Sequence, residues 1–267
     1  MSGDVIAQCI SWHVIHGKKL GKILWIPTAN IPLYDQTIKD GVYACNIVLS
    51  QKIYIWVGTY LQDKNIFEVH IFDFSQDIYG RYIEIILLEK IRNNKKFTHI
   101  EDLKKQIQID IQKSKNINFT TLTFWCFDIL HKWHIYYLYE AKKYTRNLVT
   151  IVARDTTIKS IKWKKPYHSQ NIRKKQLQKL WYSDVIHIWD AFDPFVWLQL
   201  YAPKIIALGY DQRGKYVDEL YEKLVQYNLT KTKIIRIKSL KPDIYKSSVL
   251  RENIENSYNS NGNSLWI

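Results

Sequence analysis

The segment TLTFWCFDILHKWHIYYLYEAKKYTRNLVTIV, residues 121–152, decides the fold of the second half of the chain. Thr120–Phe124 is an apolar run of strand length, and a turn follows it. Residues from about His134 to Tyr144 have the apolar spacing of a helix, and Leu148–Val152 is a second strand-like run. A strand, a helix and another strand in this order are typical of a parallel α/β sheet.

The same alternation continues toward the C-terminus. The sequence predicts further helices at Ile172–Leu180 and Tyr216–Tyr227, and further strands at Val185–Ile188, Ile205–Leu208 and Lys233–Ile237. We therefore expect a doubly wound α/β domain with a parallel sheet over residues 119–252. Residues 253–267 are polar and rich in Asn and Ser, and we expect them to be disordered.

The first 114 residues have a different pattern, with short runs of β-branched and aromatic residues separated by turn formers. This pattern favours an all-β closed barrel. The predicted strands are Val5–Ile10, Gly41–Leu49, Ile53–Gly58, Ile66–Phe74 and Tyr82–Ile91. Apolar residues three and four apart predict a helix at Ile100–Lys113, and polar Lys113–Asn118 is the expected linker to the second domain.

The composition is that of a globular protein with a basic surface. Of 267 residues, 46% are hydrophobic and 24% charged, which is ordinary for a chain of two domains. The net charge of +14 suits the phosphates of ATP and flavins as well as it suits nucleic acid. Because the basic residues are spread along the chain, we do not expect a nucleic-acid partner. The sequence does not indicate an oligomeric state.

Features of targeting sequences are missing from the printed chain. No apolar run approaches the roughly 20 residues of a membrane-spanning helix, so we expect no membrane partner. The first residues, MSGDVIAQCISWHVIHGKK, lack the pattern of a secretory signal. Cys9, Cys45 and Cys126 are widely spaced and odd in number, which favours a reducing cytoplasm over a disulfide framework.

A series of motifs in the first domain carries a family resemblance. HGKKLGKILWIPTANIPL at residues 16–33 is followed by DGVYA at 40–44, VGT at 57–59 and EVHIFDFSQDIYG at 68–80. In order and spacing this series resembles the riboflavin kinase family over residues 5 to about 113. The resemblance implies the barrel fold and the transfer of phosphate from ATP to riboflavin, which yields FMN.

The resemblance also assigns roles to individual residues of the first domain. It implies that Thr28 and Asn30 hold Mg²⁺ beside the ATP phosphates, and that Glu68 is the catalytic base. Gly17 and Gly21 would let the backbone approach the nucleotide. Taken without the family pattern, Thr28 and Asn30 are more simply turn formers after a proline, and Glu68 is more simply a solvated strand residue.

A second series of motifs lies in the α/β domain. Trp125, Phe127, Asp128, His131, Trp133 and His134 fall on the pattern GxFDxxHxGH, and VARD, PYHSQNIR, ALGYDQ and KSSVLR follow. This series resembles the cytidylyltransferase-like nucleotidyltransferases, and within them most resembles FAD synthases of the archaeal type. The resemblance covers about residues 119–252. It implies that the FMN phosphate attacks the α-phosphorus of ATP and that pyrophosphate leaves.

The catalytic residues implied here are His131 and His134, which would donate hydrogen bonds to phosphate oxygens. The implied nucleotide-binding residues are Phe127, Asp128, Arg173 as a phosphate clamp, Gly209, Asp211, and Ser247 and Ser248 at a helix N-terminus. Outside the family pattern, such a histidine pair is more often structural than catalytic. A metal site on the two histidines would lack a third ligand.

Tryptophan occupies positions at which both motif series have glycine. The positions are Trp12, Trp25, Trp125, Trp133, Trp163 and Trp189, with Trp56 and Trp181 as less clear cases. The chain has ten Trp and nine Gly, and together they equal the roughly 19 glycines of an average chain of this length. We hypothesise that the gene uses UGA as a glycine codon and that UGA has been translated as Trp.

The leading interpretation is a bifunctional enzyme that converts riboflavin to FMN and FMN to FAD, with ATP and Mg²⁺ in both steps. The kinase part comes first, the reverse of the common bacterial order. One alternative keeps the kinase and gives the second domain a CTP-dependent reaction on an alcohol phosphate. Another takes the tryptophans literally and predicts an inactive flavin- or nucleotide-binding protein. Nucleic-acid binding is a more distant alternative.

Overall fold

The computed structural model describes residues 5–15, 28–35, 37–70, 77–117, 119–240 and 244. The chain forms two compact units, and the boundary between them lies between Phe119 and Thr120. A short segment, Lys143–Thr145, groups with the first unit. Each unit has its own sheet and its own hydrophobic core.

The first unit is built on an antiparallel sheet with the strand order β1-β6-β3-β4-β5-β2. Alternate residues of the central strands face the core, as Tyr43, Cys45 and Ile47 of β3 show. The strands are β1 (Val5–His13), β2 (Thr28–Pro32), β3 (Gly41–Leu49), β4 (Lys52–Leu61), β5 (Ile66–His70) and β6 (Tyr82–Arg92).

The sheet curls, so that its edge strands β1 and β2 approach each other. Among the described residues these edges are joined by an isolated bridge, in which the Ile15 backbone N–H donates to the Asn30 carbonyl at 2.8 Å. The closed barrel that the sequence predicts is therefore not confirmed, and the observed form is a curled, partly closed sheet.

Helix α1 (Ile100–Asn116) completes the first unit. It buries Ile107 and Ile111, and the Ser114 hydroxyl donates to the Trp56 carbonyl of β4 at 3.0 Å. A buried ion pair of 2.6 Å joins Asp110 to Arg92 at the end of β6. The helix extends three residues beyond the predicted end, and therefore takes up part of the segment that was expected to be a linker.

The second unit contains a parallel sheet with the order β11-β10-β7-β8-β9. Its strands are β7 (Thr120–Trp125), β8 (Asn147–Val152), β9 (Val185–Ile188), β10 (Ile205–Gly209) and β11 (Lys233–Ile237). Its helices are α2 (Lys132–Lys143), α3 (Asp155–Lys162), α4 (Gln170–Gln178), α5 (Val196–Tyr201) and α6 (Lys215–Gln226). The doubly wound parallel sheet predicted for this domain is thus observed.

The direction in which successive strands are added to the sheet reverses between β7 and β10. The strands β8 and β9 follow on the β7 side of this point, and β11 follows on the β10 side. In such sheets a ligand crevice opens at the carboxyl ends of the strands at this point. The two faces of the sheet carry separate hydrophobic clusters, one around Phe124 and Ile158 and one around Tyr137 and Val152. Within the ranges described, no helix is long and apolar enough to cross a membrane.

Candidate active sites

In the first unit, strand pairing brings the predicted kinase residues together. Strand β2 runs antiparallel to β5, with Asn30 directly opposite Glu68. Ala29 and Ile31 face the core, so Thr28 and Asn30 share the other face of β2. Directly opposite residues of an antiparallel pair have their side chains on the same face, and therefore Glu68 joins this face.

A third strand adds a residue that was not predicted for the site. Glu68 lies opposite Thr59 of β4 as well as opposite Asn30 of β2. The three side chains form a row across adjacent strands, with Cβ atoms of neighbours about 4.5–5.5 Å apart. Thr59 belongs to the VGT motif. This motif could have identified Thr59 as a site residue from the sequence.

The neighbouring Gly58 has a packing role. A Cβ atom at this position would lie 2.1 Å from the Phe67 ring, so glycine is needed for the contact between β4 and β5. The VGT motif therefore combines a packing glycine with a threonine on the polar row.

The polar row offers hard oxygen donors to a cation. Asn30 and Glu68 of this row, with Thr28 on the same face of β2, contribute an amide oxygen, a carboxylate and a hydroxyl, the ligand types that Mg²⁺ prefers. The described residues contain no cluster of three or more His, Cys, Asp or Glu side chains that could hold a metal by themselves. Mg²⁺ would therefore complete its coordination with phosphate oxygens and water. Gly17 and Gly21 lie outside the described residues.

In the second unit, the turn after β7 has an unusual backbone. Phe127 and Ile129 have φ angles of +53° and +52°, in the left-handed region. This conformation is uncommon for any residue with a side chain and is a marked outlier for a β-branched one. Strained turns of this kind concentrate at ligand sites. The turn leads directly into helix α2.

His131 and His134 lie together at the start of α2, with ring centroids 4.0 Å apart. His134 is buried, with 1% of its surface exposed. Burial lowers the pKa of His131 to about 4, so its ring is neutral at pH 7. A neutral imidazole keeps one N–H donor, and His131 is therefore suited to donating a hydrogen bond rather than to supplying charge.

The Asp128 side chain forms hydrogen bonds within the protein. Its carboxylate accepts hydrogen bonds from the backbone N–H groups of Tyr167 at 2.9 Å and His168 at 3.1 Å. The side chain is buried. Asp128 thus anchors the loop before α4 to the turn after β7.

Arg173 is fully buried on α4 and holds three segments together. Its guanidinium donates to the carbonyls of Cys126, of Ala153 at 2.8 Å and of His168 at 3.1 Å, and it forms a 2.6 Å ion pair with Asp155. These bonds join the carboxyl ends of β7 and β8 to the loop that Asp128 anchors. A phosphate clamp needs an accessible guanidinium, whereas the geometry here fits a positioning role.

Gln212 connects the two strands at the crevice. Its side-chain amide donates to the Phe124 carbonyl of β7 at 2.6 Å, and its oxygen accepts from the Gly209 N–H of β10 at 2.7 Å. Sequence reasoning selected Gly209 and Asp211 from the ALGYDQ motif but not Gln212. Asp211 is exposed beside it. Ser247 and Ser248 lie outside the described residues.

Two models of known families match the chain, one in each unit. Residues 7–118 match the family model described as Flavokinase, riboflavin kinase, and residues 122–253 match the one described as cytidylyltransferase-like. The chain thus carries a region similar to riboflavin kinases, followed by a region similar to cytidylyltransferases.

Curated relatives share part of this chain. It is 45% identical over 111 residues to the bifunctional riboflavin kinase/FMN adenylyltransferase of Haemophilus influenzae, covering 38% of this chain and 36% of that protein. The protein of the same name from Escherichia coli K12 is 38% identical over 109 residues, covering 38% and 35%. The chain therefore spans about a third of the length of the curated relatives it matches.

Among solved structures, the chain is similar to a lipopolysaccharide core biosynthesis protein from Thermoplasma volcanium, with 34% identity and a TM-score of 0.42. The match covers 46% of this chain and 98% of that one.

Two indoles occupy the crevice of the second unit. Trp125 and Trp133 lie with ring centroids 4.9 Å apart. A Cβ atom at Gly209 would be 2.1 Å from the Trp125 ring and 2.9 Å from the Trp133 ring. Trp133 is buried, and its indole N–H has no hydrogen-bond partner in the described structure. A buried indole N–H normally has a partner, so Trp133 fits its position poorly.

Two further tryptophans of this domain follow helix ends in a left-handed conformation. Trp163 follows α3 with φ +54° and is 92% exposed. Trp181, shortly after α4, has φ +60° and is 89% exposed. Glycine is the usual residue in such a conformation after a helix. The backbone thus favours glycine at both positions, including the position that was unclear from the sequence.

The remaining tryptophans at predicted glycine positions differ in environment. Trp56 of the first unit is 1% exposed within the core. Trp189 is buried and its N–H donates to the Pro194 carbonyl at 2.7 Å. Trp12 is half-exposed on β1, and Trp25 lies outside the described residues.

Proposed function

We propose that this chain is a bifunctional enzyme that phosphorylates riboflavin to FMN and adenylylates FMN to FAD, using ATP in both steps. The observation that carries the kinase part is the polar row of β2, β5 and β4, in which Glu68 lies opposite both Asn30 and Thr59. The names of the curated relatives support both activities. We also propose that the first unit forms a closed barrel and that the protein is located in a reducing cytoplasm.

In the kinase step, the terminal ribityl hydroxyl of riboflavin attacks the γ-phosphorus of ATP, the bond to ADP breaks, and Glu68 accepts the hydroxyl proton. Thr28 and Asn30 would hold Mg²⁺, which neutralises phosphate charge when bound. Their shared face on β2, beside Glu68, brings the base and the cation ligands to one surface of the sheet.

In the adenylylation step, an FMN phosphate oxygen forms a bond to the α-phosphorus of ATP while the bond to the pyrophosphate leaving group breaks. No protein nucleophile is needed. His131 and His134 donate hydrogen bonds to phosphate oxygens as charge develops. Arg173 and Asp128 hold the turn and the loop that surround this site.

We also propose that positions 125 and 133 are glycine in the native protein, which gives this turn the HxGH form. As tryptophans, the two side chains fill the crevice in which a nucleotide would bind. Codons of the gene at these positions provide the direct test, because UGG at either one contradicts the recoding hypothesis. Mass spectrometry of the protein from its native host is a second test.

Activity is tested with two forms of the full chain, one as printed and one with Trp125→Gly and Trp133→Gly. Each is incubated with riboflavin, Mg²⁺ and ATP, with FMN and either ATP or CTP, or with an alcohol phosphate and CTP, and the products are separated by chromatography. We expect FMN from both forms and FAD from the glycine form with ATP. FAD absent from both forms, with a product from CTP and an alcohol phosphate, would instead favour the cytidylyltransferase alternative.

One observation favours a second candidate function. If the indoles at 125 and 133 are native, they block the crevice, and the second domain is an inactive flavin- or nucleotide-binding module. FAD formation by the printed form excludes this candidate. UGG codons together with inactivity of the printed form establish it.

A further inference from the structure

The central ladder of the parallel sheet ends before its two neighbours do. Strand β10 is paired with β7 as far as Ala207, which lies opposite Thr123. The ladder between β7 and β8 continues to Trp125, and the ladder between β10 and β11 continues to Gly209. The strands β7 and β10 therefore part at their carboxyl ends, and the gap between them lies at the crevice.

A side-chain amide lies in this gap. Gln212 Nε2 donates to the Phe124 carbonyl at 2.6 Å, and Gln212 Oε1 accepts from the Gly209 N–H at 2.7 Å. Phe124 and Gly209 lie just beyond the last ladder pair of their strands. A carboxamide carries a donor and an acceptor as a peptide group does. The Gln212 bridge, formed by these two hydrogen bonds, therefore joins β7 and β10 where their own ladder has ended.

The two atoms of the Gln212 amide have defined partners. The Phe124 carbonyl can only accept a hydrogen bond, and the Gly209 N–H can only donate one. The positions of Nε2 and Oε1 are therefore fixed by the backbone. As a result, replacing either atom breaks one hydrogen bond of the bridge and leaves the other.

The segment that carries Gln212 is also held from the side of β11. Arg236 donates to the Gln212 carbonyl at 2.7 Å and to the Gly209 carbonyl at 3.3 Å. The backbone N–H of Gln212 donates to the same Gly209 carbonyl at 3.3 Å. The amide thus reaches β7 from a turn that is tied to β10 and β11, and it acts as a fixed spacer.

We propose that Gln212 is a positioning residue for adenylylation and that its amide sets the width of the crevice. This inference rests on the proposed function and deepens it. Strand β7 leads into the turn that carries His131, and β10 ends at Gly209 on the other side of the gap. A spacer between these strands controls the distance between the groups that hold the reacting phosphates. Misplacement by about 1 Å can cost about 10²-fold in rate.

The first test is Gln212→Glu in the full chain with glycine at 125 and 133. The variant side chain has the same length and keeps the acceptor for the Gly209 N–H. It places a carboxylate oxygen against the Phe124 carbonyl oxygen, and these two acceptors repel each other. At about pH 8 we expect kcat for FAD formation to fall by about 10–10²-fold, with KM for ATP and FMN changed by less than about threefold.

The pH dependence of this variant separates positioning from a general loss of structure. The Phe124 carbonyl disfavours the ionised form and so raises the pKa of the introduced carboxyl. Below this pKa the protonated carboxyl donates to the carbonyl again. The deficit relative to the parent at the same pH should therefore shrink about threefold or more between about pH 8 and about pH 5.5. Gln199→Glu, at an exposed position on α5, is the matched control and should follow the parent.

A second measurement does not depend on catalysis. Selective ¹⁵N-glycine labelling gives few signals, because the chain has nine glycines besides the two introduced ones. In Gln212→Ala the Gly209 amide loses its acceptor, and its hydrogen exchange should become about tenfold faster or more. Gln212→Glu keeps the acceptor and should keep the slow exchange. Gly58, inside the ladders of β4, is the internal reference.

Three results overturn the proposal. They are unchanged exchange of Gly209 in Gln212→Ala, a deficit of Gln212→Glu that does not vary with pH, and a loss confined to KM. The proposed function fails separately, since absence of FAD formation by the parent contradicts adenylylation whatever Gln212 does. In that case the exchange of Gly209 alone decides whether the Gln212 bridge is the spacer between β7 and β10.

Discussion

Glu68 has Asn30 on one side and Thr59 on the other, and the kinase proposal places the proton transfer on its carboxylate. Glu68→Gln keeps the size of the side chain but removes the base. In the form with glycine at 125 and 133, we expect FMN formation to fall by about 10²–10⁴-fold, with FAD formation from added FMN unchanged. Glu89→Gln on β6 is the control. An equal loss in both variants would contradict the assignment.

Arg173 bonds to three carbonyls and one carboxylate beside the proposed adenylylation site. Arg173→Met removes the hydrogen bonds to three carbonyls and the ion pair with Asp155, which keeps its hydrogen bond from the Gln170 N–H, and we expect it to lower the free energy of unfolding by about 3–5 kcal/mol. Urea denaturation measures this change. Lys175→Met, at an exposed position on the same helix, should cost less than about 0.5 kcal/mol. A small effect at Arg173 would show that its hydrogen bonds are replaceable.

His131 makes stability depend on pH. Burial lowers its pKa to about 4 from an ordinary value of 6.5, so between these values the unfolded chain binds a proton that the folded chain does not. The contribution of the neutral ring to the free energy of unfolding is complete above pH 6.5, and it is lost as the pH falls toward 4. His131→Gln should therefore lose less stability between pH 7 and pH 5 than the parent does.

The urea midpoints of parent and variant at the two pH values give this comparison. Exposed His99→Gln serves as the control and should follow the parent. A parallel loss of stability in the parent and in His131→Gln would show that other groups cause the acid sensitivity.

At the scale of elements, the ends of α3 and α4 should be more stable with glycine. Trp163→Gly and Trp181→Gly relieve a left-handed conformation at exposed positions, and each should raise the free energy of unfolding by about 1 kcal/mol. Trp56→Gly removes a core side chain and should lower it by about 3–5 kcal/mol. Denaturation curves distinguish the two classes. Destabilisation by Trp163→Gly would contradict the backbone argument.

Most strands and the longer helices were predictable because their pattern of apolar residues is local. β2 was not predicted, because Thr28–Pro32 is short, contains proline and was interpreted only as a motif. Helices α3 and α5 have eight and six residues, and a six-residue run such as VWLQLY does not distinguish helix from strand. The closed barrel was predicted from the pattern of short strands and from the family resemblance, and the described residues form a curled sheet.

The types of the site residues were predictable, but their partners were not. The register that places Thr59 and Asn30 on either side of Glu68 depends on the pairing of three strands, which no single motif reveals. The burial of Arg173 depends on carbonyls from two other segments, so the motif by itself suggested only a phosphate clamp. Gln212 likewise has its role because β7 and β10 are adjacent in the sheet.

At the scale of the whole molecule, each proposed site is built within one compact unit. FMN made by one molecule should therefore serve the second domain of another. A mixture of Glu68→Gln and His131→Asn proteins, both with glycine at 125 and 133, should form FAD from riboflavin, although neither does so alone. Time courses of FMN and FAD measure this complementation. No FAD from the mixture, with each remaining activity intact, would indicate that FMN does not exchange between molecules.

The side chains of Trp163 and Trp181 are almost fully exposed to solvent. Large apolar side chains on a surface favour self-association. A host that inserts tryptophan at UGA would therefore produce a chain that adheres to hydrophobic resins and precipitates at high concentration, whereas a host that inserts glycine would not. The amino acid inserted at UGA therefore determines how strongly the protein self-associates. Chromatography detects this difference without an assay of catalysis.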